Sequence, residues 1–208
     1  MVKQISEQAK KRVRKSPEQA RSDILSAAES LLIEIGPDGL KLVDIAKRAG
    51  ISHSLIIHHF GSMASLLGEL ALEIGKRFSA ELDVLLEKVD LSGGQVRPIV
   101  DLIFDVYARP ENVKLISWLF LTNQFDHRRQ VSEQFVLVAN LLIQSLNESG
   151  RQHVFRSDMF SCIQTIAVMT AIGDAIGRKM LPETTVNNLP ESQTRSWIAE
   201  LIVKKLEI

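Results

Sequence analysis

Between Ala49 and His53 the chain reads Gly50-Ile51-Ser52, and a short segment with helical spacing of its apolar side chains stands on either side. In Leu42–Ala49, the residues Leu42, Ile45, Ala46 and Ala49 share one face. Gly50 can take the left-handed conformation that ends a helix. Ser52 can cap the next helix, from His53 to His59. Two short helices joined by a turn of about three residues make a helix-turn-helix, and its apolar faces need a further helix to pack on. The preceding segment supplies one. Ser16 is placed to cap it, Pro17 suits the first helical position, and Gln19 sits where a capping box wants Glu or Gln. Ile24, Ala27, Ala28, Leu31, Leu32 and Ile35 then line one side, and Gly36-Pro37 stops the helix.

No long stretch alternates apolar and polar residues with the period of a strand, so the chain reads as all-α. A long helix is expected from about Met63 to Leu86, with Leu66, Leu67, Leu70, Ile74 and Phe78 along one side. Beyond Gly93-Gly94, helices are expected near residues 95–107, 111–122, 128–147, 157–180 and 191–206, punctuated by Pro110, Gly150, Pro182 and Pro190. That makes nine helices in two parts, 16–62 and 63–208, preceded by an arm at 1–15. At 208 residues and 45% hydrophobic, the chain can bury one sizeable core.

Net charge is zero but unevenly spread. Residues 1–21 carry Lys3, Lys10, Lys11, Arg12, Arg14, Lys15 and Arg21 against Glu7 and Glu18, a balance of +5, while residues 22–78 sum to −2 and residues 79–208 to −3. A basic arm of this kind is either a solvated tail or a partner for phosphates or anionic lipid. Cys162 is the only cysteine, so no internal disulfide forms, and its apolar neighbours suggest a packed thiol. No apolar run near the roughly 20 residues of a membrane span is evident. The start lacks the apolar centre of a signal peptide. A cytoplasmic setting fits.

The segment ISHSLIIHHFGSM (51–63) holds three histidines. Successive helical residues lie about 100° apart, so His53, His58 and His59 share no face, and zinc ligands on a helix prefer a spacing of three or four. No metal is expected. Ile56 and Phe60 belong to the core, leaving Ser52, His53, Ser54, Leu55, His58 and His59 outside: hydroxyls, imidazoles and one apolar tip, suited to base edges and phosphates. A helix-turn-helix inserts the N-terminal end of its second helix into the major groove, and here that end is Ser52-His53-Ser54-Leu55.

The ordered set ILSAAESLLIEIG (24–36) and VDIAKRAGISHSLIIHHFGSMASLL (43–67) resembles the TetR family of transcriptional regulators. The resemblance covers the first third of the chain. It implies a two-domain architecture: a helix-turn-helix domain (16–62, the motif itself about 41–60) and a C-terminal ligand-binding and dimerisation domain (63–208). It implies a homodimer on a palindromic DNA operator, released by a small-molecule effector and usually acting as a repressor. Several positions depart from the family pattern. Leu40 and Lys41 replace a pair of hydroxyl residues, so Lys41 can replace a phosphate contact but not the cap. Ser54 replaces a frequent glycine, Ile57 a tyrosine, and Met63 a lysine.

The resemblance further places the dimer interface on the last two long helices. There Ala167, Ala171 and Ala175 recur four apart, and Trp197 and Leu201 follow on the final helix. For the effector pocket the C-terminal aromatic and polar residues Phe104, Tyr107, Trp118, Gln124 and Phe135 are the candidates, with Gln134 as a further polar group. A second reading is a helical ligand-binding or interaction module with weakened DNA contact, motivated by Ile57, Met63 and the −2 balance of residues 22–78. Neither catalytic residues nor a cofactor motif are recognised in the sequence, so an enzyme is not expected.

Overall fold

The computed structural model describes residues 16–89, 95–123, 128–148 and 157–206. Among these residues all regular structure is helical: α1 (Pro17–Ile35), α2 (Leu42–Ala49), α3 (His53–Phe60), α4 (Met63–Leu86), α5 (Arg97–Tyr107), α6 (Pro110–Leu121), α7 (Arg128–Glu148), α8 (Ser157–Met180), α9 (Glu183–Asn188) and α10 (Glu191–Leu206).

The local signals act as their chemistry predicts at the N-terminal end. Ser16 Oγ accepts from the Gln19 amide at 3.1 Å, although the Gln19 side chain turns to Asp23 and leaves the capping box one-sided. Gly50 sits at φ 67°, ψ 34°, a left-handed position where a side chain would be strained, and its N–H closes α2. Ile24, Ala28 and Leu32 of α1 pack with Ile45, Ile56 and Phe60. The same core continues through Leu66, Leu67, Leu70, Ile74, Phe78 and Leu82 of α4 to Val100, Ile103 and Phe104 of α5, and on to α6, α7 and α8. α4 thus packs on the helix-turn-helix at one end and on α5, α6 and α7 along its length. Each fully buried Leu or Ile in such a core contributes roughly 1.5–3 kcal/mol.

Three expectations are corrected. α9 is a tenth helix, missed because Glu183–Asn188 is only 6 residues long and lacks an apolar stripe. Pro110 marks the boundary between α5 and α6, as expected, and does so as the first residue of α6, since its fixed φ and missing N–H suit a first turn. Cys162 is exposed rather than packed, because α8 turns Phe160 and Gln164 inward and leaves position 162 on the outer side. Finally, Met159–Met180 is long and apolar enough to cross a membrane by length and composition. In the fold, Ala167, Val168, Ala171 and Ile172 of that helix are buried, and it packs on α5 and α7 as a core helix does.

Candidate nucleic-acid interface and ligand cavity

α3 is held from behind. Ile56 and Phe60 are buried, and the Arg21 guanidinium lies 4.4 Å over the Phe60 ring. Arg21 also donates to the His59 carbonyl at 2.8 Å and pairs with Glu69, so one α1 side chain fixes α3 against α4. Arg48 forks onto Glu34, tying α2 to α1, and that hydrogen bonding holds the Glu34 carboxyl below its usual range. α3 and α4 meet at 65°. The glycine between them, Gly61, has φ 74°, and Ser62 caps α4 by accepting from the Ser65 amide at 3.0 Å.

The outward side of this frame carries Lys41, Ser52, His53, Ser54 and His58, all exposed, with Leu55 and His59 half-buried. Ser52 Oγ accepts from the Leu55 amide at 3.3 Å and lies 3.0 Å from Ser54 Oγ, so the two hydroxyls form one polar group at the start of α3. Lys41 stands at the N-cap position of α2 and makes no side-chain cap hydrogen bond. Although successive on the helix, His58 and His59 meet edge-on with ring centroids 5.5 Å apart. Ile57 is 39% exposed, one turn beyond His53, and adds an apolar edge to this side. Met63 is half-buried against the core, whereas Leu40 lies inside it.

A second feature lies between α4, α5, α6, α7 and α8. It is a cavity of about 70 Å³ lined by Gly75, Phe78, Ser79, Tyr107, Gln134 and Gln164, with Ile116, Phe120, Val138, Val168 and Met169 among its apolar walls. The Tyr107 ring lies tilted against that of Phe78, centroids 5.4 Å apart, and burial pushes its phenol pKa up to about 12. Ser79 Oγ donates to the Gly75 carbonyl at 3.0 Å and lies 3.4 Å from Gln134 Oε1. Of the residues expected in a pocket, Tyr107 and Gln134 line it. Phe104 does not: it is buried in the core beneath the Arg195 guanidinium, 5.0 Å from its ring. Trp118 is half-buried on a side of α6 that does not line the cavity. Gln124 and the Phe135 side chain lie outside the described residues. Ser79 and Gln164 were missed. Their signal was a lone polar residue at a buried position of an apolar helix, which sequence alone cannot tell from an exposed one.

The small-residue ridge of α8 is also corrected. Ala167 and Ala171 are 1% and 0% exposed, consumed by packing within the chain, and Ala175 is half-buried. The outer strip instead runs Ile166, Met169, Gly173, Ile176, Met180, with Trp197 and Leu201 exposed on α10. α10 is anchored by Arg195, which donates to Asp101 and Asp105 of α5 at 3.2 and 2.9 Å and pairs with Glu191. Burial works against that guanidinium's charge, but its three carboxylate partners outweigh burial and raise its pKa.

Comparison with known proteins gives three kinds of likeness. Residues 24–70 match the family model described as bacterial regulatory proteins, tetR family. An HTH-type transcriptional repressor of Mycobacterium tuberculosis is 32% identical over 82 residues, which are 36% of this chain and 44% of the relative, so the chain spans less than half of that protein's length. Among solved structures, the fatty acid degradation regulator FadR of Bacillus halodurans matches with TM-score 0.62 at 17% identity, over 91% of this chain and 96% of that one. FadR of Bacillus subtilis in complex with stearoyl-CoA matches with TM-score 0.58 at 15% identity, over 88% and 97% of the two chains.

Proposed function

We propose a function for a chain that carries a TetR-family N-terminal domain at residues 24–70 and has the fold of TetR-family regulators: it is a ligand-responsive, DNA-binding transcriptional regulator. It acts in the cytoplasm as a homodimer on a palindromic operator, and its output is repression, as in the mycobacterial relative's name. The observation that carries this reading is the exposed polar start of α3, Ser52 to Leu55, on a frame fixed by buried Ile56 and Phe60 and by Arg21. Such an end, presented by a helix-turn-helix, fits the major groove. In this reading His53 and Leu55 touch base edges, while Lys41, Ser52, Ser54, His58 and His59 position the phosphates.

The dimer forms through the outer strip of α8 and through Trp197 and Leu201 of α10, a symmetric surface of the isologous kind. Gly173 lets the two copies of α8 approach closely, because nothing lies within 4 Å of the Cβ position it lacks. The effector occupies the cavity under α4. Because α4 also carries Glu69, the partner of Arg21, a displacement of α4 reaches α3 through one ion pair.

Random-duplex selection with the purified full chain tests this function. An enriched inverted repeat supports it, and no enriched motif in low salt favours a helical ligand-binding module without DNA contact. That second reading draws on Ile57 and Met63, which place apolar side chains where the family pattern has tyrosine and lysine.

A further inference from the structure

Gln164 is 5% exposed and lines the cavity, and among the described residues its side-chain oxygen is buried without a hydrogen-bond partner. Leaving a buried amide unpaired is costly, and interiors keep such groups where something else satisfies them. Ser79 does not do so, since its hydroxyl is directed to the Gly75 carbonyl at 3.0 Å and to Gln134 Oε1 at 3.4 Å. Among the described residues the cavity wall contains no Asp, Glu, Lys, Arg or His. A charged group entering it would lose its water and find no counter-charge. Burial already disfavours charge there, as the raised Tyr107 phenol illustrates.

On the reading that this cavity is the effector site, we infer that its ligand is an uncharged molecule with a small apolar body and a hydroxyl group that donates to Gln164 Oε1. The body lies against Phe78, Ile116, Val138 and Val168. Its size follows from the space. A cavity of roughly 150 Å³ holds benzene, so one ring or a short chain fills the 70 Å³ here only if the wall yields. Met169, unbranched and with three rotatable side-chain bonds, is the wall residue suited to yield.

The test compares matched probes on the full chain by calorimetry: benzyl alcohol, toluene and benzoate, and 1-heptanol against heptanoate. The alcohols are expected to bind about tenfold or more tightly than the carboxylates, and benzyl alcohol several-fold more tightly than toluene, as one hydrogen bond to a buried acceptor provides. Gln164→Leu should bring benzyl alcohol down to the level of toluene without lowering the Tm, since it removes an unpaired polar atom. Gly75→Leu, filling space where the nearest atom to a Cβ is Gln134 Cγ at 4.0 Å, should abolish binding of every probe.

Carboxylates binding as tightly as alcohols, or a Gln164→Leu protein that keeps the alcohol preference, overturns the ligand class while leaving the effector site standing. Binding by none of the five probes overturns the class as well. The effector reading fails separately, if the alcohols bind with these preferences but leave operator affinity unchanged.

Discussion

Single residues divide between those that build the frame and those that face outward, and Ser52 does both. Its hydroxyl caps α3 and touches Ser54, so Ser52→Ala should destabilise the domain by about 1 kcal/mol, seen in chemical denaturation, and weaken DNA binding together. His53 and Leu55 have no such framing role in the reading given above. His53→Ala should alter which sequences bind and cost roughly 1–3 kcal/mol on the preferred site, whereas Lys41→Ala should weaken all sequences evenly and reduce the salt slope by about 1.

Tyr107 makes a different prediction. Its pKa rises from 10.0 to about 12, so folded and unfolded chains are both protonated below pH 10 and the full stability is present there. Between pH 10 and 12 only the unfolded chain ionises, and stability falls by roughly 2–3 kcal/mol. Tyr107→Phe should remove that alkaline loss, measured as Tm against pH. These inward and outward assignments were only partly legible in sequence. Phe104 and Tyr107 lie three apart on one helix, yet Arg195 covers one and the cavity receives the other. That choice depends on α10, about 90 residues further along.

At the scale of elements, the helices were legible because each carries its own punctuation: Ser16-Pro17 and Gly36 on α1, Gly50 and Ser52 around the turn, Pro190 before α10. α9 carried no periodic signal, and the orientation of α8 was not legible because both of its sides are rich in small and apolar residues. Packing on α5 and α7 chose the alanine side, leaving Ile166, Met169, Gly173, Ile176 and Met180 outside. If that strip is the dimer surface, Ile176→Asp should convert a dimer to a monomer in sedimentation velocity while Lys179→Ala, an exposed α8 position about 100° round the helix from the strip's centre, should not.

The end of α8 is tied down separately. Arg178 donates to Asp174 at 2.6 and 3.0 Å and to the Leu189 carbonyl at 2.7 Å, and it reaches Thr194 at 3.2 Å. With both charged side chains under 20% exposed, Arg178→Ala should cost roughly 1–3 kcal/mol. For a chain of this size that is a Tm loss of several degrees.

The whole molecule couples two regions through α4, which packs on α1 and α3 at its start and forms one wall of the cavity further along. The all-α architecture was legible from periodicity. The cavity was not, because its lining comes from five helices whose mutual rotation no local pattern encodes. The charge asymmetry of the sequence belongs to this scale as well. Residues 1–15 lie outside the described structure, and they hold six of the seven basic side chains that precede residue 22. If those side chains meet phosphates, deleting residues 1–15 should weaken operator binding and flatten its dependence on salt, whereas an unchanged affinity would remove the arm from the account.

The central claim, that this frame presents α3 to DNA, is tested most directly by selecting random duplexes with the full chain and repeating the selection with His53→Ala. The account predicts an inverted repeat enriched by the unmodified protein and a changed base preference, at the same position in both half-sites, for the variant. Enrichment of no motif at low salt, or an identical motif from both proteins, would contradict it.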